Sequence, residues 1–225
     1  MTRFAGRAKA RPRHFFAQGG KARREKDMTM DFLQLVKKNR SYRGFDEQAP
    51  VTRAQLERLV EYARFCPSSI NNQALKFYLS CTKETNAKLQ PLTGWARRLK
   101  NVQLPHPGHC PTGFVVICYD SAIPGGAARY AKDVGIAAQT MLLGAVAMGL
   151  GGCMIGNFEP QKVADALGLP AGLEPVLILA LGKPDEQVVL TDAQNGEVGY
   201  YRDEQDVHYV PKRPLAELII NPEQP

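Results

Sequence analysis

Apolar positions along the chain fall into three kinds of pattern. In Val51 to Cys66, Leu56, Leu59, Val60 and Ala63 recur at i, i+3, i+4 and i+7, one stripe of an amphipathic helix. Thr52 and Gln55 at its start form a capping box, and Pro67 stops it. An earlier helix is predicted over about Met30 to Lys38, and a short one from Pro160 to Leu167, with proline in its first turn and Gly168 at its close. Lys76 to Cys81 reads as a strand. Phe114 to Tyr119 (FVVICY) and Val176 to Leu181 (VLILAL) are apolar on both faces, so they predict fully buried strands.

The third pattern is a stretch with no charge at all, residues 134–158. At 25 residues it exceeds the roughly 20 that a membrane-spanning helix needs. Six glycines, Gln139, Thr140 and the lack of a second such stretch argue instead for a helix buried in a core and ending near Gly149. No membrane partner is expected. Helices and strands sharing one core give an α+β class, a three-layer α/β/α arrangement around a sheet.

At 225 residues the chain suits one domain with a sizeable core. The formal charge of +7 would point to nucleic acid if it were spread over the fold. However, residues 1–27 take nine of the 29 Lys and Arg and two of the 22 Asp and Glu, leaving 20 of each for the rest. The organisation read from this is a basic, disordered extension over residues 1–29, a domain over 30–221 and a short tail over 222–225. A start at Met28 or Met30 would omit most or all of the extension. Its alternative reading is a nucleic-acid or targeting arm. Five cysteines with no CxxC pair and no His at metal-ligand spacing predict reduced thiols in a cytoplasmic protein and no metal site.

Four segments carry candidate chemistry. Asn39, Arg40, Ser41, Tyr42 and Arg43 offer two guanidinium forks, an amide and a hydroxyl, which suit phosphate oxygens; taken alone, a solvated basic turn is the commoner explanation. Pro67, Ser68, Ser69, Ile70, Asn71, Asn72 and Gln73 pack hydroxyls and amides into a loop that can meet a polar ligand edge, or merely end a helix. The run from Gly149 to Asn157 is glycine-rich enough for a backbone to approach a flat ligand. It follows a helix and not a strand, so it is no dinucleotide-binding fingerprint. Lys212 and Arg213 stand between Pro211 and Pro214.

In order and approximate spacing, RSYRGF, PSSINNQ, DVGIAAQTMLL with GLGGCMIGNF, LGKP and KRPLAELI resemble the nitroreductase family over about Asp31 to Ile220. The resemblance implies a nitroreductase-like fold with a mainly antiparallel central sheet, and a domain-swapped type of homodimer holding FMN at shared sites. It implies that Asn39, Arg40, Ser41, Arg43 and Arg213 surround the phosphate and pyrimidine side. Pro67, Ser68, Ser69 and Asn71 would come from the partner subunit, and Ile155, Gly156 and Asn157 would lie along the ring; Lys212 is a weaker candidate. The expected activity is hydride transfer from NADH or NADPH, with electrons passing to small planar acceptors, namely nitroaromatics, quinones or flavins. No side chain is expected to act as an obligatory acid or base. Alternatives are flavin cleavage or reductive dehalogenation on the same fold, or a non-catalytic flavin- or nucleic-acid-binding protein dominated by the basic tail. Asn39 and Ala74-Leu75 depart from the family pattern, which leaves the phosphate contact and the pocket shape less defined. Small residues in the central helix (Gly135, Ala137, Ala138, Gly144, Ala145, Ala147) are read as allowing a second chain to approach.

Overall fold

A computed structural model describes residues 31–99 and 102–221. The basic extension, the C-terminal four residues and the predicted helix start at Met30 lie outside the described residues.

The helix predicted after Pro50 is α2 (Arg53–Arg64), with the Thr52–Gln55 capping box formed in both directions and Leu56, Leu59 and Ala63 buried. Before it come α1 (Phe32–Lys38) and a two-residue strand, β1 (Phe45–Asp46). Next in the chain are β2 (Leu75–Ser80), α3 (Lys83–Leu89) and β3 (Gly113–Asp120). The uncharged stretch begins in α4 (Ala131–Ala147), which ends at Gly149 with φ of 75°. Among the described residues no helix is long and apolar enough to cross a membrane. Then follow β4 (Gly151–Ile155), α5 (Pro160–Leu167), closed by left-handed Gly168, and β5 (Leu173–Pro184).

The five strands form one antiparallel sheet. β5 is its axis: β3 pairs along one edge, while β4 and β1 share the other. Because side chains alternate across a strand, β3 feeds two cores. Val115 and Ile117 meet Leu56 and Leu59 of α2 and Met141 and Leu142 of α4. Phe114, Val116 and Cys118 meet Leu89 of α3 and Val163 of α5. The sheet is therefore sandwiched between two helical layers, and this explains why FVVICY has no polar face.

Two features differ from the sequence reading. The glycine-rich run after α4, read as backbone free to approach a ligand, is largely the strand β4: a Cβ on Gly152 would stand 2.5 Å from the Ala180 carbonyl oxygen, and one on Gly151 2.5 Å from the Tyr42 ring. The glycines there serve close packing of β4 against its neighbours. Likewise, some of the small residues of α4 are used within one chain, while Gly135 and Ala147 are exposed and a Cβ on Gly135 would meet nothing within 4 Å. Ala138 and Ala145 are fully buried, and a Cβ on Gly144 would lie 2.5 Å from the Tyr62 ring of α2.

After Pro184 comes a separate three-stranded sheet of β6 (Val188–Asp192), β7 (Tyr201–Arg202) and β8 (His208–Lys212), in the order β6-β8-β7, followed by one helical turn, α6 (Leu215–Leu218).

Candidate functional site

The turn after α1 is anchored to the sheet. Ser41 bridges Gly152, and the Tyr42 N–H donates to the Gly152 carbonyl at 3.1 Å. This places Arg43 beside the end of β4. The Arg43 backbone N–H donates to one oxygen of Glu186, whose other oxygen pairs with Arg202; both side chains of that pair are buried. With Glu186 thus committed, the Arg43 guanidinium donates to the Ser41 carbonyl at 3.1 Å and lies 5.3 Å from the Tyr200 ring centre. Among the described residues no carboxylate lies within ion-pair distance of it. It is an uncompensated cation next to an aromatic face.

Arg43, Cys153, Ile155, Gly156, Asn157, Trp95, Arg97 and Tyr200 line one cavity of about 200 Å³. A Cβ at Gly156 would meet nothing within 4 Å, so this wall is open backbone. Asn157 is fixed from two directions: its carbonyl accepts from the Gly94 N–H at 2.8 Å, and its side-chain oxygen accepts from Arg97.

Of the residues singled out from sequence, the structure brings Arg43, Ile155, Gly156 and Asn157 together. Asn39 caps α1 and is buried. The Arg40 side chain turns back to the Val36 carbonyl at 3.1 Å, with its Nε buried and unpartnered, and burial holds its guanidinium below the usual arginine range. Ser41 backs the cavity through Gly152. Arg213 pairs with Glu217 at 3.0 Å on the surface and, like exposed Lys212, is not among the cavity's lining residues.

Pro67 and Ser68 lie in a different place, lining another cavity of about 300 Å³ with Gln73 and Asp133. There the Ser69 N–H donates to both oxygens of buried Asp133, at 3.1 and 3.0 Å. Ile70, Asn71 and Gln73 all have positive φ, at 46°, 57° and 50°, and Ile70 is 74% exposed. The loop is thus strained and pinned, and it presents an isoleucine outward.

Sequence reasoning missed Trp95, Arg97, Glu186 and Tyr200. The available signals were slight: the chain's one tryptophan beside two arginines, and a tyrosine doublet.

Behind Tyr200, His208 is 2% exposed and stacks on the tyrosine ring at 5.3 Å. Burial, helped by Arg43 and Arg202 and opposed by Asp206, pushes its pKa down to about 4. The imidazole is thus neutral in the fold while the unfolded chain takes up a proton near the ordinary value of about 6.5. Its contribution is full above pH 6.5 and lost as pH falls toward 4. We expect about 2 kcal/mol of stability to disappear from this group between pH 7 and pH 5. Urea unfolding of wild type and His208→Gln at both pH values checks this: the variant should show a smaller pH dependence, and an equal one would remove His208 as its source. The cysteines are free, and burial pushes Cys118 up to about 11 and Cys153 upward as well. Thiolate chemistry is therefore suppressed at both.

An antiparallel sheet between helical layers, with an open-backbone cavity beside an arginine turn at the end of β4, defines the nitroreductase class of fold. The nitroreductase family model matches residues 36–183, and the chain belongs to that family. The FMN reductase (NAD(P)H) of Bacillus subtilis strain 168 is 27% identical over 177 residues, covering 70% of this chain and 67% of that protein. A nitroreductase family protein from Clostridium difficile 630 superposes with a TM-score of 0.59 at 22% identity, over 84% of this chain and 97% of its own. A protein from Exiguobacterium sibiricum 255-15, solved in complex with FMN, gives a TM-score of 0.57 at 22% identity, over 70% and 90%.

Proposed function

We propose that the protein is an FMN-dependent oxidoreductase that takes a hydride from NADH or NADPH and passes electrons to small planar acceptors, namely nitroaromatics, quinones or flavins. The observation that carries this reading is the uncompensated Arg43 guanidinium facing the same cavity as the open backbone of Gly156. A dianionic phosphate suits such a cation, and a flat ring suits a wall without side chains. The family membership and the FMN named for the Bacillus and Exiguobacterium proteins support it.

The donor set fits FMN, with one qualification that is itself informative. In one chain the cavity is about 200 Å³, below the roughly 300 to 1,000 Å³ of ordinary ligand pockets. A second chain is the natural source of the missing wall, and the Pro67–Asn71 loop, pinned by Asp133 and outside the Arg43 cavity of its own chain, has the polar groups to supply it. In this reading Arg43 and Arg40 hold the phosphate, with Arg213 joining them across the assembled dimer. Ile155, Gly156 and Asn157 line the ring, and Pro67, Ser68, Ser69 and Asn71 of the partner copy close the other side. FMN, when bound, supplies two-electron exchange at its ring. The chain's own residues bind, orient and exclude water, and proximity carries much of the rate. No side chain in the cavity is assigned proton transfer.

The purified protein should be yellow, release FMN on denaturation, and bleach on anaerobic addition of NADH or NADPH, with colour returning when a quinone or nitroaromatic is added. A colourless protein that fails to take up added FMN would overturn the reading; a yellow one inert to both nicotinamides would reduce it to flavin binding.

A further inference from the structure

A second hollow, of about 510 Å³, adjoins the cavity at Gly156 and shares Gly94, Arg97 and Asn157 with it. Its only carboxylate, Glu159, pairs with Lys162 at 2.7 Å. Across both hollows the lining charges are therefore Arg43, Arg97 and Lys162 against one carboxylate that is already engaged. Among the described residues no carboxylate lies within ion-pair distance of the Arg97 guanidinium.

Arg97 is exposed, tethered by one side-chain hydrogen bond and not neutralised. One of its nitrogens donates to the Asn157 side-chain oxygen. Its loop is bonded internally, with Trp95 Nε1 donating to Thr93 Oγ1 at 2.9 Å and that hydroxyl donating to the Gln90 carbonyl at 2.7 Å. A Cβ at Gly94 would fall 1.8 Å from the Asn157 amide nitrogen, so the loop and Asn157 are in the closest contact that glycine allows. The remaining donors of the Arg97 fork meet no acceptor among the described residues, and the cavity's lining includes the aromatic residues Trp95 and Tyr200. Tyr200 lies outside the span of the family match, which ends at residue 183. An exposed cation tethered at the edge of a cavity whose lining includes Trp95 and Tyr200 suits a flat ring bearing an anion, because a guanidinium fork meets a carboxylate through two charged hydrogen bonds.

We propose that Arg97 is a specificity-determining residue, which makes the cavity prefer planar aromatic acceptors carrying a carboxylate over neutral molecules of the same shape. As a statement about acceptors this rests on the oxidoreductase reading, but its binding test does not. Trp95 is the chain's one tryptophan and lines the cavity, so its fluorescence reports occupancy. Titration of the purified protein at neutral pH with 4-nitrobenzoate and with 4-nitrobenzamide should give tighter binding of the carboxylate by about ten-fold or more. Arg97→Gln should bring that ratio to about one with an unchanged far-UV spectrum, and Arg97→Lys should retain part of it. Equal affinities in wild type, or a preference that survives Arg97→Gln, would overturn the proposal. In turnover, Arg97→Gln should raise the KM for 4-nitrobenzoate and leave that for the nicotinamide donor alone; a rise confined to the donor would overturn the assignment to the acceptor. A protein that shows the quenching preference but neither holds FMN nor responds to NAD(P)H would retain the anion site and lose the oxidoreductase reading.

Discussion

Arg43→Ala is expected to weaken FMN binding by about 1.5 to 3 kcal/mol, roughly ten- to more than a hundred-fold in Kd, because it deletes a charge-assisted contact. The size follows from the way the site is built. Glu186 is saturated by Arg202 and by the Arg43 N–H, so the guanidinium loses no ion pair within the chain when it turns to a phosphate. Arg40 is a weaker substitute: its Nη2 is spent on the Val36 carbonyl and its Nε is buried. Arg40→Ala should act in the same direction with a smaller effect. Titration of apo-protein with FMN checks both. Wild-type affinity in both single variants and in the double would show that the phosphate is held elsewhere. A shift in urea midpoint in Arg43→Ala without a shift in Kd would assign Arg43 to packing against Tyr200.

The elements that could be read from sequence were those in which a single physical signal dominates. Thr52 and Gln55 declare the start of α2 by mutual hydrogen bonds, Gly168 declares the end of α5 by its left-handed backbone, and β3 declares two cores by having no polar face. The glycines of β4 misled because the same residue serves a flexible loop and a tight strand contact, and only the neighbours, Ala180 and Tyr42, decide between them. Strands β6 and β8 lie parallel to one another with residues 193–207 between them. Nothing local in VVLTD or HYVPK states that pairing.

The site divides along the same line. Arg43, Ile155, Gly156 and Asn157 come together because the turn after α1 hydrogen-bonds to β4, and the family resemblance had grouped them. Trp95, Arg97 and Tyr200 reach the cavity through irregular segments, where side-chain direction follows from tertiary bonds such as Arg97 to Asn157 and not from periodicity.

Assembly should be the most sensitive property of the molecule. A single chain exposes Phe32 by 67%, Phe65 by 70%, Ile70 by 74%, Leu215 by 71%, Leu218 by 61% and Ile220 by 96%, apolar surface that a partner copy would cover. The outward face of α4 adds Ile136, 39% exposed. Ala138 and Ala145, both fully buried under α2 and the sheet, would report folding rather than association if replaced by a charge. Ile136 is the informative position, because its side chain is free of the chain's own core. We expect the protein to sediment as a homodimer whose FMN content and association are linked, since a ligand bound across two chains stabilises their complex by mass action. Ile136→Glu should cost the interface about 3 kcal/mol through a buried, unpaired carboxylate, roughly a hundred-fold in dissociation constant. The variant should keep the wild-type far-UV spectrum while sedimenting as a colourless monomer that regains colour only at high protein concentration. Analytical ultracentrifugation with detection of flavin absorbance decides the matter. A monodisperse yellow monomer of wild type at micromolar concentration would eliminate the shared site and require the 200 Å³ cavity to enlarge within one chain.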